Sequence, residues 1–135
     1  MFYNKFIVFI CFALAFLGYT EKNDCKEYKF GTFSIFFDGS QKSYFTIKRD
    51  KTTQIEVNPN GKKVFYTIEW LNECKYIQKF DNKKNKLTEE MKMINEDGGI
   101  VIEFLNKEDD KCINYQSYVK KFKKMSLRKG KFCTK

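Results

Sequence analysis

The chain contains no histidine, one proline (Pro59) and only two arginines, Arg49 and Arg128. Without imidazole, every mechanism that needs a histidine base or metal ligand is excluded. Alanine occurs only at Ala13 and Ala15. No run reaches the roughly 20 apolar residues of a membrane span. Close cysteine pairs of the CxxC kind are missing, so no zinc site and no other metal site is expected. Also missing are G-x-S-x-G, G-x-x-x-x-G-K-[ST] and G-x-G-x-x-G, the elbows and loops that hold a nucleophile or a phosphate. The carboxylate pairs Glu89-Glu90 and Asp109-Asp110 are adjacent in sequence and therefore face apart. No cofactor is expected, and the chain is not expected to be an enzyme. An enzyme here would need two or more titratable groups converging in a cleft.

What is present begins with charge. There are 26 Lys+Arg against 17 Asp+Glu in 135 residues, a formal charge of +9 carried almost wholly by lysine. Lysine, Asn, Ile, Phe and Tyr all have AT-rich codons, so a low-GC genome accounts for much of this balance. Specialised phosphate readers favour the planar fork of arginine, which is scarce here. Apolar content of 42% and 15 Phe point to a folded chain despite 32% charged residues. The length suits a single domain.

Residues 1–20 read as a signal peptide. Lys5 supplies the positive start, and Phe6 to Leu17, FIVFICFALAFL, is an apolar run too short to span a bilayer. Cys11 would leave with this leader. Cys25, Cys74, Cys112 and Cys133 remain, an even number in an exported chain, which implies two disulfides. Of the three possible connectivities, Cys25–Cys74 with Cys112–Cys133 is favoured. Each bridge would contribute about 3–4 kcal/mol by constraining the unfolded chain. The expected location is therefore outside the cytoplasm, periplasmic or secreted.

Residues 21–135 read as one all-β domain. Apolar residues recur with period two, the strand signature. Phe33, Ile35 and Phe37 share a face, as do Phe45 and Ile47, then Ile55 and Val57, then Val64, Tyr66, Ile68 and Trp70. Cys74, Tyr76 and Phe80 follow. Met91 and Met93 suggest a sixth strand, Ile100, Ile102 and Phe104 a seventh, and Ile113, Tyr115 and Val119 an eighth. Turns are marked by Asp38-Gly39-Ser40, Asn58-Pro59-Asn60-Gly61 and Asp97-Gly98-Gly99, the last being the strongest hairpin signal. Short connections favour an antiparallel up-and-down meander. About eight strands would curl into a barrel or a two-layer sandwich to remove their edges. A chain of roughly 115 residues would bury about 65% of its unfolded surface, enough for one core. The spacing by three in Val119–Met125, VKKFKKM, suits a short C-terminal helix.

Asp24-Cys25-Lys26-Glu27-Tyr28, Phe30-Gly31-Thr32-Phe33, Ile47-Lys48-Arg49, Gln54-Ile55-Glu56 and Glu69-Trp70-Leu71-Asn72-Glu73-Cys74-Lys75-Tyr76 together resemble a group of small exported bacterial proteins. Their pattern is a Cys before G-T-F or G-K-F, an Arg, a Q-I-E-like strand and W-x-x-x-C-x-Y. The resemblance covers roughly residues 24–80 and carries no established activity. Some members bear the label DNA topoisomerase IV, which fits neither the size nor the leader of this chain. Many look like lipoproteins. Here Cys11 follows Ile10 and Cys25 follows Asp24, without the small residue that lipid attachment needs, so no lipid anchor is expected. The resemblance points to the same Cys25–Cys74 bridge, with Trp70 and Tyr76 packed near it. The G-T-F start and the meander order are also similar to lipocalin-like barrels, a likeness of fold and not of function.

Three sets of residues could carry function. Arg49 lies on the face of Phe45 and Ile47. A buried cation must be paired, and Glu56, Glu69 and Glu103 are the candidates. It would either close a barrel end, anchor a ligand carboxylate or bend out into solvent. The aromatics Phe33, Phe37, Phe45, Tyr66, Trp70, Tyr76 and Phe104 would fill the core or line a pocket, with Tyr66, Trp70 and Tyr76 as candidate ligand contacts beside Arg49. Lys120, Lys121, Lys123, Lys124 and Arg128 form a basic cluster that is either a solvated face or a site for an anionic surface. No nucleic-acid motif accompanies it, so nucleic acid is not an expected partner. The expected function is binding of a small apolar or amphipathic ligand. The alternative is an envelope interaction module that holds a protein or an anionic glycan or lipid through the basic C-terminal region.

Overall fold

The structure is a computed structural model and describes residues 25–135. The leader and Cys11 lie outside the described residues. The chain enters through a single 3-10 turn, Cys25–Tyr28, and then reverses after each period-two run. The strands are β1 (Gly31–Phe37), β2 (Phe45–Arg49), β3 (Thr53–Val57), β4 (Lys63–Asn72), β5 (Lys75–Phe80), β6 (Ile100–Lys107), β7 (Cys112–Val119) and β8 (Arg128–Thr134). Each pairs antiparallel with the next, and β8 returns to pair with β1, so the sheet is a closed eight-stranded barrel. Closure removes the free edges that an open sheet would expose. At the seam, Gly130 faces Phe37 across β1 and Tyr115 across β7. A Cβ on Gly130 would collide with the backbone oxygen of Phe36 and come within 3.0 Å of the Tyr115 ring. Glycine there lets the last strand seat.

Eight strands are found as expected, but one expected strand is a helix and one strand that is found was not expected. Met91 and Met93 belong to a helix, α1 (Glu89–Glu96), not to a strand. The Thr88 hydroxyl caps it by accepting from the Met91 amide at 3.2 Å, and Glu89 and Glu90 complement the positive end of its dipole. The Asp97-Gly98-Gly99 signal ends this helix instead of joining two strands. Gly98 and Gly99 adopt φ of 99° and 88°, which other residues rarely tolerate. The eighth strand is β8, hidden in the basic C-terminal stretch. The expected short helix precedes it as a 3-10 turn, Lys120–Phe122, and α2 (Lys123–Ser126).

The up-and-down order sorts the connections. Those over 38–44, 58–62, 81–99 and 120–127 lie at one end of the barrel and include both helices. The short ones over 50–52, 73–74 and 108–111 lie at the other, together with the entering 3-10 turn. Two disulfides staple the closed arrangement. Cys25–Cys74 ties that turn to the β4–β5 connection, and Cys112–Cys133 joins directly paired residues of β7 and β8. Both pairings are the favoured ones, and both are consistent with an oxidising, exported location. Among the described residues no helix is long and apolar enough to cross a membrane.

Candidate functional site

The two ends of the barrel differ in what fills them. At the short-loop end, Tyr28 and Cys25 are completely buried and plug the opening. Tyr28 packs on Phe33 and Phe104, Trp70 on Tyr76, and Phe104 on Phe132, with ring centroids 4.7–5.9 Å apart. Within this aromatic layer sits Arg49, buried as its alternation with Ile47 requires. Its Nε donates to Gln54 Oε1 at 2.8 Å, one terminal nitrogen to the Tyr28 carbonyl at 2.5 Å and the other to the Tyr76 hydroxyl at 2.5 Å. The Tyr76 ring lies 4.4 Å from the guanidinium carbon, a cation–π contact in a water-poor setting. Burial lowers the Arg49 pKa, opposed by Tyr76 and Glu56.

The expected direct ion pair is not made. Glu69 and Glu103 point outward, Glu103 meeting Lys75 at 3.9 Å and Gln116 at 3.1 Å. Glu56 does point inward, but it reaches Arg49 only through Gln54. The reason lies in β3, whose polar residues face the core. The β2–β3 register sets Arg49 opposite Gln54 and Ile47 opposite Glu56, so an inward Arg49 brings both polar side chains inward with it. Ile55 and Val57 lie half-buried on the other face. Gln54 Nε2 then donates to Gln78 Oε1 at 2.9 Å and to Glu56 Oε1 at 3.3 Å. The Tyr66 hydroxyl donates to Glu56 Oε2 at 3.2 Å, and Gln78 Nε2 to Glu56 Oε1 at 3.5 Å. Gln54 and Gln78 were missed by periodicity, which reports two faces but not which one is the core. The signal that could have found Gln54 is its place opposite Arg49 across a short β2–β3 turn.

Toward the helix-bearing end the interior is not filled. A cavity of about 200 Å³ is lined mainly by Ile35, Phe37, Phe45, Ile47, Ile100, Ile102, Tyr115 and Phe132, with Glu56, Tyr66, Tyr76 and Gln78 as its polar groups and Ser117 and Arg128 also on its wall. Of the candidate ligand contacts, Tyr66 and Tyr76 line this cavity. Arg49 and Trp70 are outside its lining, in the filled aromatic layer. The aromatics thus divide: Phe37, Phe45, Tyr66 and Tyr76 border the space, while Phe33, Trp70 and Phe104 pack the plug.

The cavity is a poor place for a charge. Glu56 is half-buried, and the remainder of its surface lies on the cavity wall. Its pKa is raised by burial, and the bonds from Tyr66, Gln78 and Gln54 only partly offset this. These bonds, at 3.2–3.5 Å, lie at or beyond the long end of good hydrogen bonds to oxygen. Burial likewise pushes Tyr76 up to about 12 and raises Tyr66 and Tyr115, so all three hydroxyls stay protonated at neutral pH. The site therefore offers apolar walls, tyrosine hydroxyls and one carboxyl group with spare acceptor capacity.

Above the cavity stands the basic connection. Lys120, Lys121, Lys123 and Lys124 are all exposed on the 3-10 turn and α2, and Arg128 opens β8 beside them. The fold thus brings the basic cluster to the same end of the barrel as the cavity. The grouping of Glu108, Asp109 and Cys112 has the spacing of a metal site, but Cys112 is committed to its disulfide and Asp109 accepts from the Lys111 and Cys112 amides. Comparison with family models, with curated proteins and with solved structures returns no match for this chain.

Proposed function

We propose that the protein is an exported, non-catalytic binding barrel, a member of the group of small exported bacterial proteins that its N-terminal half resembles. Its cavity takes one small amphipathic molecule. The observation that carries this reading is the asymmetry of the interior. One end is packed solid by Tyr28, Phe33, Trp70 and Phe104, and the other holds about 200 Å³ of mostly apolar space. A barrel that needed only a core would be filled at both ends, as cores close-pack. The volume exceeds the roughly 150 Å³ that accepts benzene and falls short of the roughly 300 Å³ at which drug-sized pockets begin. The occupant is accordingly a small molecule with an apolar body and one hydrogen-bonding group for Glu56, Tyr66 or Gln78. Glu56, Tyr66 and Tyr76 on the wall are bonded to one another or to neighbouring side chains, and we assign them to recognition and not to catalysis.

The test is native mass spectrometry of protein purified from its own envelope, beside a Ser117→Trp variant that fills the space. The wild type should retain a small non-covalent adduct that the variant lacks. An adduct-free wild type that also fails to bind an apolar fluorescent probe would refute the proposal.

A further inference from the structure

The helix-bearing end has a second apolar feature, outside the barrel wall. A crevice of about 380 Å³ runs between α1 and α2, floored by Tyr118 and Val119 and flanked by Met93, Ile94, Phe122 and Met125. It shares Ile100, Ser117 and Arg128 with the wall of the interior cavity, so the two spaces meet at the barrel mouth. Two of its methionines stand in water, Met93 at 48% and Met125 at 74% exposure. Beside them are the four lysines. Lys123 Nζ lies 4.4 Å from the Tyr118 ring centroid and Lys121 Nζ 5.5 Å from that of Phe122, so both ammonium groups sit over aromatic rings at the edge of the crevice. Among the described residues only Lys121 of the four has an acidic partner, Asp97 at 3.6 Å. Glu90 is the acid on the crevice itself.

Exposed methionines ringed by exposed lysines suit the boundary between lipid headgroups and acyl chains, where apolar side chains enter and ammonium groups meet phosphate. We propose that this end of the barrel docks on an anionic lipid bilayer, with Met93 and Met125 entering the surface and Lys120, Lys121, Lys123 and Lys124 on its phosphates. The cavity mouth then faces the bilayer. Docking needs no occupant in the cavity, so it stands apart from the binding reading above and fails separately from it.

The experiment is co-sedimentation of the full disulfide-bonded chain with vesicles of phosphatidylcholine, with and without phosphatidylglycerol. The wild type should partition onto the anionic vesicles only, and added salt should release it. Lys120→Gln/Lys121→Gln/Lys123→Gln/Lys124→Gln should lose at least roughly tenfold in partitioning, given the attraction each lysine contributes at such a surface. A control of equal charge at the short-loop end, Lys26→Gln/Lys48→Gln/Lys51→Gln/Lys111→Gln, should bind nearly as the wild type does. Met93→Ser/Met125→Ser should lose several-fold while keeping every charge. Equal losses in the two lysine variants would reduce the effect to overall charge and overturn the proposal. Unchanged binding by the methionine variant would overturn it in favour of a purely electrostatic partner such as an anionic glycan. Equal binding to neutral vesicles would also overturn it.

Discussion

Replacing each disulfide in turn by a pair of serines separates what a bridge does to the unfolded chain from what it does to the native one. Cys25–Cys74 closes a sequence separation of 49 and Cys112–Cys133 one of 21. Loop-closure entropy assigns them about 4 and about 3 kcal/mol. The native-state consequences are less alike. Cys112 and Cys133 face each other across a continuous β7–β8 ladder that persists without the bridge. Cys25 begins the described chain and holds Tyr28 in the barrel end, where the Tyr28 carbonyl accepts from Arg49 and its ring packs on Phe33 and Phe104. Releasing that turn leaves a buried cation short of an acceptor, at a further cost of about 1–3 kcal/mol. Cys25→Ser/Cys74→Ser should therefore lose about 5–7 kcal/mol, and Cys112→Ser/Cys133→Ser about 3. Urea unfolding followed by far-ultraviolet circular dichroism and linear extrapolation measures both. Equal losses, or a larger loss for the Cys112–Cys133 pair, would refute the assignment of a plug to Cys25–Tyr28.

Two further predictions concern the buried polar chain. Glu56 has its pKa raised by burial, so the native state holds its proton to higher pH than the unfolded chain does, which ionises near 4.3. The wild type should lose stability as pH rises from the unfolded value through the native one, whereas Glu56→Gln should not. The stability difference between variant and wild type, read from urea midpoints between pH 4 and 8, should grow steadily in the variant's favour, and a constant difference would contradict the burial. Arg49→Met should cost about 3 kcal/mol by leaving the buried Tyr28 carbonyl and Gln54 Oε1 without their donor and Glu56 without a nearby cation. Arg49→Met/Glu56→Gln should recover part of that loss, and strict additivity in this double-mutant cycle would show that the two charges are not coupled.

Much of the barrel was legible because most inward residues are apolar. In β4, Tyr66 and Ile68 are buried while Thr67 and Glu69 are exposed, as the alternation requires. The same rule placed Arg49 inside through its neighbours Phe45 and Ile47. It failed where local chemistry carries little apolar weight. Met91 and Met93 fit a strand by alternation, but the Thr88 cap and two acids in the first turn decide for a helix. β8 offers Phe132 and Cys133 among lysines and a glycine, too few apolar positions to mark a strand before its partners are known. The polar interior was the least legible. Gln54, Glu56 and Gln78 look like solvent-facing residues until a buried arginine is set across from them. The cavity was legible only as a list of aromatics, since which of them leave space depends on the plug.

The inward-facing side of β3 also bears on how the chain avoids misassembly. Shifting this strand by a single position would exchange Gln54 and Glu56 for Ile55 and Val57 and yield a greasier interior. Hydrophobic collapse alone would reward that wrong alignment. It would also strand the guanidinium of Arg49 among aromatic rings without its glutamine. The buried arginine thus works as a proofreading element. It penalises the shifted alignment of the third strand, and the price is a core less oily than this sequence could have built.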